Sequence, residues 1–524
     1  MGQAAERWPQ GRSETTSRPI SPINPPPPLL APALAQALAL KKHFCTFAQE
    51  LCSDLHLCTA SSPLASGHLA LQSSTPVDSL LPFLLLDVLV VAAVILLMFQ
   101  RMAFWHPLTA YLLFHLYSFT YRAFNIYAGA PMMYEGQANA EAITTTEINR
   151  ALLWGDIALV IFVLASLLAH LNFDAHASRP VVRRVMNPNI ARAIGILCLP
   201  VGAFFLYGIK TSGVDLSADS ASSGYVQVIA MWPIGALGLL VFAFGFRWYL
   251  VGLIAFFLGV VALQGYHRFM LILPLLFFAA YYLQSARRRW PTWPIVIGAI
   301  LVALIFPRLK YIGQAIQYGD TDEAVAQLTQ SFTCGGKDKQ AGLSEDFLDQ
   351  FAGGLSLIDT NDRKFWGSTY VAIVTLPIPR AWWPNKPGLA DHLQEISTSG
   401  RQYNVEGRII TYLGESYLNF GYAGLFLIPA LMGYLLTAYC LHANTGPMQR
   451  LSRYVYLVVF MALIQTFRDG LLSIFVFTIV HNMPMLFALI VHRIPGFSAE
   501  SLDRPAADPL AGEEEEEIAA RQRQ

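Results

Sequence analysis

The sequence predicts an all-α polytopic membrane protein with about eleven transmembrane helices (eleven or twelve) and one large external loop. Three observations carry that expectation. The 524-residue chain is 54% hydrophobic and only 13% charged, whereas soluble globular chains carry about a quarter charged residues. Apolar runs approaching the roughly 20 residues that a span requires recur along most of the length. A single interval, residues 307–421, interrupts that series and is too long to be a mere connector. The formal net charge of zero gives no electrostatic signature of a nucleic-acid partner.

Residues 1–78 are rich in Pro, Ser and Ala and include "NPPPPLLAP". Consecutive prolines forbid helix and favour polyproline II, and the apolar patch Leu29 to Leu40 is too short to span. The expectation is a disordered tail. Within 79–306 eight apolar runs follow, at 79–99, 107–128, 151–170, 190–209, 226–246, 249–264, 269–284 and 293–306. The interval 307–421 combines amphipathic patterning, aromatic residues and turn chemistry, and reads as a folded loop with amphipathic helices. Within 422–492 lie three more runs, 422–441, 454–467 and 471–492. Two of the runs are short, which leaves tilted, broken or re-entrant segments open. Residues 493–524 contain "GEEEEE" and read as a solvated acidic tail.

Orientation follows from Lys and Arg. Arg179, Arg183 and Arg184, then Arg287, Arg288 and Arg289, then Arg450 and Arg453 occupy three loops that eleven spans place on one side. That side is the cytoplasmic one, and the C-terminus joins it. The interval 307–421 and the loops near 129–149, 211–225, 265–268 and 468–470 then face outward. The N-terminal tail would also lie outside, although its own Arg and Lys fit that side poorly. Six scattered cysteines show no zinc-knuckle spacing and predict no disulfide framework.

Chemistry-bearing residues collect in the external segments. In "RIITYLGESYLNFGYAG", Arg408, Thr411, Glu415 and Asn419 follow one helical stripe, and Ile410, Leu413, Tyr417 and Phe420 another. The segment reads as an amphipathic helix that Gly421 can stop, resting its apolar face on the bundle. Its polar face is either a water-exposed surface or a functional one. In "LPIPRAWWPNKPG", four prolines exclude regular helix and present Arg380 and Lys386 with Trp382 and Trp383 between them. Cations suit phosphate and flat aromatic faces suit sugar rings or lipid headgroups, so sugar-phosphate binding and interfacial anchoring both fit. "QGYHRFM" sets His267 and Arg268, and "TFRDG" sets Arg468 and Asp469, in very short external loops. Cations at membrane depth are costly and are functional candidates by default. Asp320 and Asp322 form a DxD pattern with no nucleotide-binding context, His481 reads as a packed core histidine, and Asp87 and Asp156 inside apolar runs read as structural. No metal site is expected.

Four of these blocks, in this order, resemble the O-antigen polymerase, or oligosaccharide repeat-unit polymerase, family: "GYHRFM", "FWGSTYVAIVTLPIPRAWWPNKP", "GESYLNFGYAG" and "FRDG". They cover roughly the C-terminal half; residues 1–78 have no counterpart in the pattern. The resemblance implies a multi-spanning glycosyltransferase of the bacterial inner membrane. It would join undecaprenyl-diphosphate-linked oligosaccharide units on the periplasmic face into O-antigen, capsule or exopolysaccharide. It implies no cofactor, and a chain-length-determining co-polymerase as partner. On that reading Arg268, Arg380, Arg408 and Arg468 offset charge on the departing diphosphate, with Arg401 and Lys386 in support. Glu415 is the candidate base, sugar ligand or support for an arginine. Asn419, Tyr417, Trp382, Trp383 and His267 are candidate substrate contacts. An O-antigen ligase and a lipid-linked sugar flippase are the alternatives.

Overall fold

The computed structural model describes residues 79–133, 143–174, 183–211, 229–263, 269–293, 295–298, 312, 315, 320–332, 347–361, 364–375, 382–383, 411–444, 451–494 and 498–501. The expected N-terminal tail, the acidic run and much of 299–410 lie outside these residues.

The described chain is mostly helical. The first helix, α1 (Leu81–Arg101), starts with proline in its first turn. Next, α2 (Pro107–His115) is capped by the His106 ring, whose Nδ1 accepts from the Leu108 N–H at 3.2 Å. A π-helical turn (Leu116–Thr120) carries it into α3 (Tyr121–Tyr127). The long α4 (Thr145–Asp174) begins with a capping box, in which Thr144 N–H and Oγ1 both donate to Glu147 at 2.8 and 2.9 Å. Then come α5 (Pro188–Thr211), α6 (Trp232–Phe244), α7 (Trp248–Leu263) and α8 (Phe269–Ser285). Within the long interval lie α9 (Thr321–Phe332), α10 (Phe347–Asn361), α11 (Ser368–Thr375) and α12 (Thr411–Phe420). The chain closes with α13 (Tyr422–Asn444), α14 (Leu451–Asp469), α15 (Leu472–Phe475), a second π turn (Val476–Val480) and α16 (Met483–Arg493). A two-stranded antiparallel ribbon pairs β1 (Arg183–Met186) with β2 (Ser498–Ser501).

Each apolar run with described residues is helical, but the described residues do not show eleven spans. Four helices are long and apolar enough to cross a membrane, within Leu81–Gln100, Thr145–Phe173, Pro188–Tyr207 and Tyr422–Asn444. A fifth results if Leu472–Val480 and Met483–Arg493, bent by 70°, form one broken span. Trp232–Phe244, Trp248–Val261 and Leu271–Ser285 are apolar but short. At 1.5 Å per residue they fall below the roughly 30 Å of a hydrocarbon core. The π turn divides the run 107–127, and Arg453, Gln465, Arg468 and Asp469 make α14 too polar.

Packing uses devices suited to apolar surroundings, where helices associate through small residues and interhelical hydrogen bonds. At Gly433 of α13 a Cβ would meet the Phe162 carbonyl of α4 at 2.6 Å. Beside it Ser166 Oγ donates to the Gly433 carbonyl at 3.3 Å and Thr437 Oγ1 donates to Ser166 at 3.1 Å. Two ends of the bundle emerge. At one, Phe104 N–H donates to the Arg289 carbonyl at 2.8 Å, Tyr456 Oη to the Trp105 carbonyl, Gln284 to Asn444, and Arg453 to the Asn444 carbonyl. The loops carrying Arg289 and Arg453 therefore lie together. At the other end Asn149 donates to the Ser79 carbonyl, and α10, α11 and α12 pack. His481 is buried with its ring edge-on to Phe477, as expected of a core histidine.

Candidate functional site

Helix α12 is built to be enclosed. Thr411 opens it at φ 59°, a left-handed conformation unusual for a β-branched residue, and its Oγ1 accepts from the Gly414 N–H at 3.3 Å. Gly421 ends it at φ 61°, its N–H bonded to the Tyr417 carbonyl at 2.7 Å. The last carbonyls of the helix, at Leu418 and Asn419, accept the N–H groups of Phe365 and Trp366 at 3.1 and 3.0 Å. A turn thus supplies the donors that a helix terminus lacks. Every residue from Thr411 to Asn419 is buried. The expected amphipathic surface helix is therefore a core helix, because α11 and the turn after α14 cover its polar stripe.

Glu415 stands at the centre, 2% exposed. Its Oε1 accepts from Thr369 Oγ1 at 3.0 Å and its Oε2 from the Leu471 N–H at 2.7 Å. Asn419 Nδ2 donates to Thr369 Oγ1 at 2.7 Å and to the Glu415 carbonyl at 2.8 Å. Asn419 Oδ1 accepts from the Gly367 N–H at 2.9 Å. The turn that offers Leu471 requires glycine at 470: φ is 102°, and a Cβ would lie 2.5 Å from Glu415 Oε2. Burial lifts the Glu415 carboxyl to about 7, against the lowering effect of the Leu471 N–H and the Thr369 hydroxyl. The arginine partners expected for Glu415 are not seen among the described residues; two hydrogen-bond donors take that place.

Tyr417, two residues on, points away from Glu415, as a 100° step per residue requires. Its hydroxyl donates to Asp359 of α10, which also pairs with Arg150 of α4. Arg150 reaches Tyr422 as well. Burial and the Asp359 carboxylate raise the Tyr417 hydroxyl well above its usual range. At the other end of α10, Arg122 holds the buried Asp349 through Nε at 2.9 Å and Nη2 at 2.6 Å, and the Met133 N–H adds a third donor at 2.8 Å.

Arg468 lies two residues before Gly470, with its Nε 2.9 Å from Asp469 and its guanidinium over the Phe347 ring at 5.5 Å. Trp382 and Trp383 are exposed, at 82% and 40%. Arg268, His267, Arg380, Lys386, Arg401 and Arg408 lie outside the described residues. The structure thus joins Glu415 with Asn419, sets Arg468 three residues before the Leu471 that bonds Glu415, and assigns Tyr417 to a different cluster. Thr369, Gly367, the Leu471 N–H, Arg150 and Asp359 were not singled out from sequence. Only the charges at 150 and 359 offered a signal there. Among the described residues, the one group with metal-ligand spacing is Asp87, His115 and Asp156, in the bundle core. Comparison with family models, curated proteins and solved structures returns no match.

Proposed function

We propose that this protein is a polymerase that joins undecaprenyl-diphosphate-linked oligosaccharide units on the periplasmic face of the bacterial inner membrane. The observation that carries this reading is the Glu415 node. Two of the four sequence blocks behind the family resemblance supply its bonded groups, Gly367 and Thr369 lying in the second and Glu415 and Asn419 in the third, and the remaining donor, Leu471 N–H, directly follows Gly470 at the end of the fourth. The same reading counts the three shorter apolar helices as spans, which with the broken pair as one span makes eight.

The reaction forms a bond from an acceptor hydroxyl to the anomeric carbon of the donor and breaks the bond to the lipid diphosphate, and the hydroxyl proton leaves to the departing diphosphate or to water. The departing oxygen gains negative charge, which arginines stabilise through charge-assisted, often bidentate hydrogen bonds. Arg268, Arg380, Arg408 and Arg468 are assigned that task, with Arg401 and Lys386 in support. Both Glu415 oxygens already accept hydrogen bonds. We therefore assign Glu415 as a positioning residue that ties α12 to the turn following Arg468, rather than as the base. Exposed Trp382 and Trp383 are assigned to sugar faces or headgroups.

The test is elongation of a lipid-linked acceptor by the purified protein without a transmembrane gradient. Product longer than one added unit is expected. Arg468→Ala and Glu415→Gln should each lower it at least tenfold while leaving the protein in the membrane. In cells, loss of the gene should leave single capped units; long unattached chains would mark a ligase instead. A flippase is the second reading. It is favoured by ionisable residues inside the helices, Asp87, His115 and Asp156. Gradient-dependent movement of lipid-linked sugar with no elongation would establish it.

A further inference from the structure

Three helices each contribute one ionisable side chain to a single point in the bundle core. Asp87 on α1 and His115 on α2 are fully buried, and Asp156 on α4 is 3% exposed. His115 Nε2 lies 2.8 Å from Asp87 Oδ1 and 3.4 Å from Asp156 Oδ1. One ligand atom from each residue lies within 4.8 Å of the other two. A tetrahedral ion with bonds of about 2.0–2.2 Å holds its ligands about 3.3–3.6 Å apart, which falls inside that range.

Polar capacity is left over. Asp87 Oδ2, both carboxylate oxygens of Asp156 and His115 Nδ1 are buried without a hydrogen-bond partner. Tyr111, one turn before His115, is fully buried, with its hydroxyl facing Tyr412 and within range of the Asp156 charge. Charge counting points the same way. With both carboxylates ionised, an imidazolium would leave one net negative charge in the bundle core, which either a proton on Asp156 or a divalent cation neutralises. The arginines of the neighbouring helices are held by Asp349 and Asp359. Two carboxylates, a neutral imidazole and a divalent cation sum to zero, which a low-dielectric interior favours.

The surroundings hold the three groups in place. Thr120, at the end of the π turn, donates from Oγ1 to Asp87 at 3.2 Å, and π turns recur at functional sites. The Phe119 ring stacks on His115 at 5.1 Å. Gly155, next to Asp156, leaves room for that stack: a Cβ there would lie 2.8 Å from Phe119.

We propose that Asp87, His115 and Asp156 bind one divalent cation of the zinc class, for which mixed nitrogen and oxygen ligands are suited. The proposal does not rest on the glycosyl-transfer reading. Its test is metal content and Zn2+ titration of the full chain in detergent, without substrate. About one equivalent is expected after dialysis, with a rise in Tm on adding Zn2+ that chelator reverses. His115→Gln and Asp156→Asn should weaken binding more than tenfold, and Glu323→Gln, on a distant surface, should leave it unchanged. Cobalt loaded in place of zinc should show ligand-field bands that shift in His115→Gln. Should the charge-removing variants fail to fold, Thr120→Val still tests the site by a several-fold loss of affinity. Wild-type protein with neither bound metal nor a Zn2+-dependent Tm overturns the proposal and identifies the cluster as a proton-sharing structural centre. Elongation activity is a separate readout, so either reading can fail without the other.

Discussion

At the scale of single residues, Glu415 has a pH signature. Its folded value of about 7 exceeds the model-peptide 4.5. The native state therefore binds a proton more tightly than the unfolded state. Its contribution is fully present below pH 4.5 and is lost as pH rises toward 7, by about 3 kcal/mol in all. Thermal unfolding in detergent should show that decline, and Glu415→Gln should flatten it. Gly470→Ala tests the same contact from the other side. It strains a backbone at φ 102° and crowds Oε2, so it should cost about 1–3 kcal/mol and lower polymer length with protein still in the membrane. The helical stripe holding Glu415 and Asn419 was legible in the sequence. What covered it was not, because periodicity defines a face without naming its neighbour. Thr369 and the Leu471 N–H come from 46 residues before and 56 after Glu415. A hydroxyl and a backbone donor leave no sequence mark of that kind.

Among the elements, α10 shows how part of a long interval becomes fixed to a bundle. Its apolar face supplies Phe347, Leu348, Phe351, Leu355 and Ile358 to the core. Two ion pairs hold it, and they differ in worth. Asp349 is fully buried and Arg122 only 11% exposed in side chain, so removing one partner strands a buried charge at a cost of about 3–5 kcal/mol. Arg150 and Asp359 are 29% and 40% exposed, and such pairs contribute about 0–1 kcal/mol. Asp349→Ala should therefore open the segment around 320–361 to limited proteolysis, whereas Asp359→Ala should leave the cleavage rate within about twofold of wild type. Helices within the interval were legible from its amphipathic patterning. The pairing of Asp349 with Arg122, 227 positions away in the chain, was not.

For the whole molecule, apolar runs located the helices well and their lengths as spans poorly. Hydropathy reports a composition, but a π turn, a 70° bend or a helix of thirteen residues depends on local geometry that composition does not encode. The loops carrying Arg289 and Arg453 share one end of the bundle. Cysteine labelling checks the sidedness. In intact inner-membrane vesicles or spheroplasts, a membrane-impermeant thiol reagent should modify Trp366→Cys from the periplasmic side. Ser285→Cys should react only after the membrane is opened. The reverse pattern would invert the topology.

The donor at Leu471 also sets a schedule for assembly. Synthesis proceeds from the N-terminus and elements settle as they appear, so α11 and α12 are made before the turn at Gly470 exists. Until that turn arrives, one oxygen of Glu415 has no native partner. The closing pair of helices is thus the latch that completes the enclosure of α12. A chain truncated before Gly470 would present an incompletely bonded carboxylate to the membrane quality-control machinery.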